Sequence, residues 1–436
     1  MTRDTATTDI NLDALPGPDD ITRAELDNGV TVLVREDFIS PSVVVDGRIA
    51  TGAILEPPGK AGLVNFLTSV VMRGTAHHTF DELYEEIEGN GASLDVRAGG
   101  HTTRFGSKSL AEDLPLMLNL AAEVLREPTF PPEHVERVRG QLMTSLQLRA
   151  HNTRAMATLR FLELAYPADH PYRTSLNGYL ETVGAITRDD LIEFHRNYGP
   201  AGAIIVIVGA VKAADAVEMV ADAFGDWRNP DQPPLLAAPP APRIDAPREA
   251  FTPIPGKSQA DLVLGYPGPE RTAEDFQAAR MANSVLGVFG MYGRLGDVVR
   301  QEQGLAYYSY SSLTGGLGPG PWRVIAGVAP ENVTRAVDSI RGEIRRLIDE
   351  PVGEDELADN RAFFKGQLVL GLEQNEGVAG SLMSMETYDL GLDYLRRYPS
   401  IIDALTPAEI QAAAARYLDP DAYALAVAGP DQQAEG

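Results

Sequence analysis

The sequence predicts an α+β chain made of two copies of one α/β domain, on three observations. A segment repeats: Ile186-Thr187-Arg188-Asp189-Asp190-Leu191 leads to Tyr198 and the apolar run AIIVIVG, and Leu405-Thr406-Pro407-Ala408-Glu409-Ile410 leads to Tyr417 and ALAVAG. Thr to Tyr spans 11 residues each time, 187 to 198 and 406 to 417. Gly140-Gln141-Leu142 and Gly366-Gln367-Leu368 hold similar places in two long helical stretches. A period of roughly 220 residues is too long for a solenoid and means a duplicated domain. Between the copies the composition breaks, with PDQPPLLAAPPAP inside Asn229–Pro255. Proline at that density continues neither a helix nor a sheet ladder, so the stretch reads as a semi-stiff linker. The expected organisation is a polar arm over residues 1–20, a domain over 21–228, a linker over 229–250 and a second domain over 251–432.

In chain order, Val30–Val34 and Ser42–Val45 are strand-like, β-branched and flanked by Asp, Asn and Ser. Glu56-Pro57-Pro58-Gly59 is a turn into a buried helix. Phe80–Glu88 is a short helix announced by Thr79 and Asp81. Ser93–Arg97 and Thr102–Ser107 form a hairpin around Gly99-Gly100, and Leu110–Leu125 is an amphipathic helix. Pro131-Pro132 open a long helix running from about Glu133 to Ala165, with Val135, Val138, Leu142 and Leu146 at helical spacing. Thr187, with Asp190 three residues on, starts the helix to Tyr198. Ala203–Val208 is a fully apolar strand, and Ala214–Phe224 is a helix.

The formal net charge of −25 argues against nucleic acid or an anionic membrane as partner, and suits a basic peptide or simple solubility. Cysteine is absent, which excludes disulfides and thiolate metal sites. No apolar run approaches the roughly 18 residues of a membrane span. MTRDTATTDINLDALPGPDD has no apolar core, so it does not read as a secretory signal, and the expected compartment is the cytoplasm. His77 and His78, with Glu82, invite a metal reading, but the histidines precede the helix and lack a third partner at useful spacing.

The most informative stretch is Gly62–Thr75, GLVNFLTSVVMRGT. Leu63, Val64, Phe66, Leu67, Val70, Val71 and Met72 cover most of a helix circumference, so the helix is buried. Its polar residues Asn65, Thr68 and Ser69 fall at i, i+3 and i+4, on one face, and Gly74 closes it. The stretch resembles the inverted zinc motif H-x-x-E-H of the pitrilysin, insulin-degrading-enzyme and mitochondrial-processing-peptidase family, whose run reads approximately G-L-A-H-F-L-E-H-M-x-F-K-G-T. On that resemblance Asn65 stands at the first His ligand, Thr68 at the catalytic Glu and Ser69 at the second His. Zinc takes neutral imidazole or carboxylate, and a threonine cannot deprotonate a water. The family's third ligand is a Glu some seventy-odd residues on, and Arg137–Leu162 contains no Asp or Glu. The expectation is no metal and no hydrolytic centre in this chain. The resemblance further implies two homologous domains, each a mostly antiparallel sheet packed with helices, forming half of a clamshell.

Two places keep the pattern of the same family. Val299-Arg300-Gln301-Glu302-Gln303-Gly304-Leu305-Ala306-Tyr307 is similar to its L-R-E-x-x-G-L-A-Y segment; Arg300 and Tyr307 match, while Val299 and Gln301 depart from it. By resemblance, that Arg and Tyr bind peptide backbone and the oxygen on which charge develops. Leu286–Leu295, spaced by Gly287, Gly290 and Gly293, lies where the family has a glycine-spaced substrate loop; it has neither the G-K-[ST] of a phosphate loop nor a G-x-G-x-x-G turn. Gly315–Gly320 reads as a hairpin turn. The expected function is a non-catalytic, substrate-binding subunit of a heteromeric zinc metallopeptidase that processes peptides. A homologous partner with an intact motif would hold the zinc, and no cofactor would sit in this chain. The alternatives are a structural or assembly protein of the same fold, and a hydrolase with a new site.

Overall fold

The computed structural model describes residues 10–288 and 293–431. It holds two mixed sheets. The first uses β1 (Thr22–Glu25), β2 (Thr31–Glu36), β3 (Ser42–Ile49), β4 (Ser93–Arg97), β5 (Thr103–Leu110) and β6 (Ile204–Gly209), in the order β1-β2-β6-β3-β5-β4. The second uses β7 (Arg248–Pro253), β8 (Ala260–Pro267), β9 (Ala306–Leu313), β10 (Pro321–Val328) and β11 (Ala424–Gly429), in the order β7-β11-β8-β10-β9. With β1 set aside, the two orders are the same. Each sheet has one parallel pair, β2 with β6 and β7 with β11, and is otherwise antiparallel. The repeat in the sequence is therefore a repeat of topology, and the fold is a two-domain α+β fold.

The helices of the first half are α1 (Leu63–Val70), α2 (Phe80–Gly89), α3 (Leu114–Arg126), α4 (Pro132–Arg149), α5 (Thr153–Ala165), α6 (Leu180–Ala185), α7 (Arg188–His195) and α8 (Ala213–Phe224). Those of the second are α9 (Phe276–Gly287), α10 (Val333–Asp349), α11 (Glu354–Gly371), α12 (Asn375–Thr387), α13 (Tyr394–Ala404) and α14 (Pro407–Tyr417). The repeated Thr caps both α7 and α14. Thr187 Oγ1 accepts from Asp190 N at 3.2 Å while the Asp190 carboxylate accepts from Thr187 N at 2.7 Å, and Thr406 and Glu409 repeat the exchange at 3.2 and 2.8 Å.

Three expected boundaries move. The long helix expected over Glu133–Ala165 is two helices, because Asn152 takes extended backbone angles and its side chain accepts from Ala155 N at 2.9 Å, capping α5. The expected linker ends early: Arg248–Pro253 is β7, an edge strand on β11, and edge positions tolerate proline. The helix expected from Leu110 begins at Leu114, since β5 runs through Leu110 and a 3-10 turn follows.

The compact units do not follow the expected boundaries 21–228 and 251–432. Unit 1 comprises Met1–Met143, Leu176–Leu236 and Phe364–Ile401; unit 2 comprises Thr144–Ser175, Ala237–Phe363 and Ile402–Gly436. The physical reason is an exchange of helices. In unit 1, Val378, Ala379, Leu382, Met383 and Met385 of α12 pack on Leu33, Val44, Val206 and Val208 of the first sheet. In unit 2, Ala157, Phe161 and Ala165 of α5 pack on Val263, Ile325 and the alanines Ala424, Ala426 and Ala428 of β11, whose small side chains let the helix approach. Burying a large aliphatic side chain is worth about 1.5–3 kcal/mol, so losing α12 alone removes on the order of 10 kcal/mol, as much as the whole stability of a typical domain. Residues 1–236 and 237–436, expressed separately, are therefore expected to show no cooperative unfolding transition, and their co-expression to restore one. Calorimetry of each fragment checks this; a cooperative transition in either fragment alone would refute it.

Candidate functional site

The helix α1 is built before its chemistry is considered. Gly62 starts it with φ +93°, and a Cβ there would lie 2.8 Å from Gly178 Cα, so only glycine fits. The first turn is capped from a distance: Glu56 accepts from Gly62 N at 3.1 Å and Val64 N at 2.9 Å. A carboxylate there also meets the positive end of the helix dipole. Leu63, Val64, Phe66, Leu67 and Val70 are fully buried. On the remaining face Asn65 and Ser69 are half-buried and Thr68 is buried. Thr68 Oγ1 and Ser69 Oγ both donate to the Asn65 carbonyl, at 3.2 and 2.7 Å.

That arrangement does not fit a zinc ion. Both hydroxyl protons point back into the helix, and no imidazole or carboxylate stands at the three positions. From α4 the group that reaches α1 is a cation: the Arg139 guanidinium lies 5.1 Å from the Phe66 ring centroid and donates to the carbonyls of Val183 and Ile186 at 2.9 and 2.6 Å. Among the described residues, no group of three or more His, Asp or Glu side chains could hold a metal ion. His77 pairs with Glu127 at 3.1 Å, and His78 sits between Glu123 at 2.9 Å and Glu86 at 3.4 Å. The hydrogen bond to Glu123 raises the His78 pKa.

The other expected residues belong to unit 2. Arg300 is on a wide π-type turn, Gly296–Glu302, where Gln303 N reaches back to Val298 O at 3.2 Å. Such turns are uncommon and recur at functional sites. Val299 beside it is fully buried and Arg300 half-buried. Tyr307 is on β9, the edge strand, and is 66% exposed. Its register explains why: Tyr308 pairs with Gly327 and Ala306 with Val328, so Tyr307 is the extra residue of a β-bulge. The π-turn packs against β9, so Arg300 and Tyr307 share one local structure. Of the glycine-spaced loop, Gly290 lies outside the described residues. Gly287 and Gly293 have φ +128° and +92°, and a Cβ on Gly293 would meet Gly287 Cα at 2.5 Å, so the two glycines close the ends of the loop on each other. A cavity of about 570 Å³ opens beside them, lined by Val285, Val288, Arg294, Glu356 and Phe363, with Arg294 paired to both Glu356 oxygens at 3.0 and 2.8 Å.

Residues 31–172 match the profile described as Insulinase (Peptidase family M16), and residues 185–363 match Peptidase M16 inactive domain. The chain belongs to peptidase family M16. A Streptomyces coelicolor protein named as an uncharacterized zinc protease is 27% identical over 335 residues, 76% of this chain and 71% of that protein. The beta subunit of bovine (Bos taurus) mitochondrial-processing peptidase is 25% identical over 427 residues, 94% of this chain and 84% of the subunit. In fold, this M16 chain matches a peptidase M16 inactive domain from Pseudomonas fluorescens (TM-score 0.86, 24% identity, 94% of this chain and 98% of that one). It also matches a protease from Helicobacter pylori (TM-score 0.87, 22% identity, 95% and 100%). No described helix is long and apolar enough to cross a membrane.

Glu56 is the residue of this M16 chain that sequence reasoning missed; its only signal was an acidic residue shortly before a buried helix. Burial pushes its carboxyl up to about 7, against the backbone donors of Val64, Gly62 and Leu63, which pull it down. Between the ordinary glutamate value and 7 the folded chain holds a proton that the unfolded chain releases, so this group's contribution to stability falls as pH rises through that window. From pH 5 to pH 8 the native protein is expected to lose up to about 3 kcal/mol relative to Glu56→Gln. Urea unfolding of both proteins at the two pH values checks it; parallel pH profiles would mean that Glu56 titrates normally.

Proposed function

We propose that this M16 chain is the non-catalytic, substrate-binding subunit of a heteromeric zinc metallopeptidase that processes peptides. A homologous chain with an intact H-x-x-E-H holds the zinc, and this chain binds peptide and completes the partner's site with Arg300 and Tyr307. The observation that carries the reading is a contrast within one molecule. The zinc-helix frame is intact while the Thr68 and Ser69 hydroxyls are closed onto the Asn65 carbonyl, yet Tyr307 is held out to solvent on an edge-strand bulge next to the turn that bears Arg300. Guanidinium and phenol are donors only in the sense needed here: they stabilise negative charge on a peptide oxygen and require no metal of their own. One similar protein is itself named as a subunit, the bovine mitochondrial-processing peptidase beta chain, which supports a partnered state.

Co-expression with a homologue bearing the intact motif tests the proposal. The homologue alone is expected to be nearly inactive. Arg300→Ala should lower turnover of the pair by about 10²–10³, with the complex still intact by size-exclusion chromatography. Undiminished turnover would remove the catalytic contribution and leave a structural role.

A further inference from the structure

We infer that Asp261 is a positioning residue for Tyr307, acting through Tyr308 across a glycine gap in the second sheet; why the placement of Tyr307 matters rests on the function proposed above. Asp261, Gly327 and Tyr308 lie in one row across β8, β10 and β9. The middle position has no side chain: a Cβ on Gly327 would lie 2.5 Å from the Tyr308 ring and 2.6 Å from Gln259 Nε2. The Tyr308 ring crosses that gap, and its hydroxyl donates to Asp261 Oδ1. Asp261 is 3% exposed; its Oδ1 also accepts from Gln259 Nε2 at 3.3 Å and its Oδ2 from the Thr153 hydroxyl. Arg154 Nε donates to the Tyr308 oxygen at 2.9 Å, with its guanidinium 4.2 Å from the ring centroid. Burial, and then the Asp261 carboxylate, raise the Tyr308 pKa, so the phenol stays protonated and remains the donor.

The network pins β9 immediately after the bulge. Immediately before it, Leu305 and Ala306 are anchored by burial, at 3% and 8% exposure. Tyr307 is the one extra residue between two fixed points, and its direction follows from them. Stability alone does not account for the device. A buried carboxylate costs several kcal/mol in desolvation before its hydrogen bonds offset any of it, and an apolar pair could fill the same row. What a fully bonded polar row adds is a single register and ring position.

The test uses the full chain. Hydrogen exchange of the chain by itself should show faster exchange of the amides of residues 306–309 in Asp261→Asn and in the milder Tyr308→Phe, with rates in α5 and β11 unchanged. Unchanged exchange at 306–309, or acceleration across the whole sheet, would overturn the inference. In the co-expressed pair, assayed with an unstructured quenched-fluorescent peptide, both variants should lower kcat about 10–100-fold with little change in KM, and the loss should vanish in a Tyr307→Phe background. Losses that simply add to that of Tyr307→Phe would overturn the positioning role. If Tyr307→Phe alone leaves turnover unchanged, the proposed function falls, and the exchange data decide the positioning claim without it.

Discussion

Each sheet depends on a helix that arrives from the other half of the sequence. α12 covers β3 and β6 with Val378, Leu382 and Met383, and α5 covers β8 and β11 with Ala157, Phe161 and Ala165. A sheet must bury one face to exist as a domain, and here the covering residue set is placed far away in the chain. The two 18-residue helices α4 and α11 are among the segments in which the chain passes from one unit to the other, at 143/144 and 363/364. The two copies of the α/β domain therefore each need residues from both halves of the sequence to complete their cores.

This division of labour explains how α1 can keep its shape without its chemistry. The positions that fix α1 are the buried Leu63, Val64, Phe66, Leu67 and Val70, the Gly62–Gly178 contact and the Glu56 cap, and none of them is a metal ligand in the family pattern. A histidine or glutamate on the polar face of α1 would contribute to chemistry and cost desolvation. Threonine and serine at 68 and 69 satisfy themselves on the Asn65 carbonyl, and Asn65 remains half-buried. The Thr68 and Ser69 hydroxyls are thus not orphaned and do not penalise the fold. Retention of the frame says that the helix is structural; it says nothing in favour of retained hydrolysis.

The sequence disclosed what is local or periodic. The Thr-to-Tyr spacing revealed the duplication because a capping box is written in adjacent residues. The apolar runs at 204–208 and 424–428 were legible as buried strands because every residue in them is buried. The break at residues 150–152 escaped notice because it carries no proline or glycine, only Asn152 as a cap. β1, TRAE, is mostly exposed and carries no apolar alternation to betray it. β7 was hidden by its place at the end of the proline-rich stretch and by its own Pro253, which an edge position permits. The helix exchange is a pairing of residues more than a hundred positions apart, and no periodicity encodes such a pairing. Of the candidate site, residue identities were legible and their setting was not. The bulge at Tyr307 depends on Gly327, and the polar row beside it on Asp261 and Thr153; none of these lies near Tyr307 in sequence.

The two candidate regions therefore stand in opposite energetic positions. At α1 the Thr68 and Ser69 hydroxyls are satisfied on the helix's own backbone and bring no charge into the core. At β9 the molecule keeps an exposed tyrosine, an irregular strand pairing, a π-type turn and a buried carboxylate within one short region. Edge bulges also weaken ladder pairing and leave backbone groups to solvent. The asymmetry supports the proposed division of chemistry between two chains, in which a partner would hold the metal and this chain would supply the charge-stabilising donors.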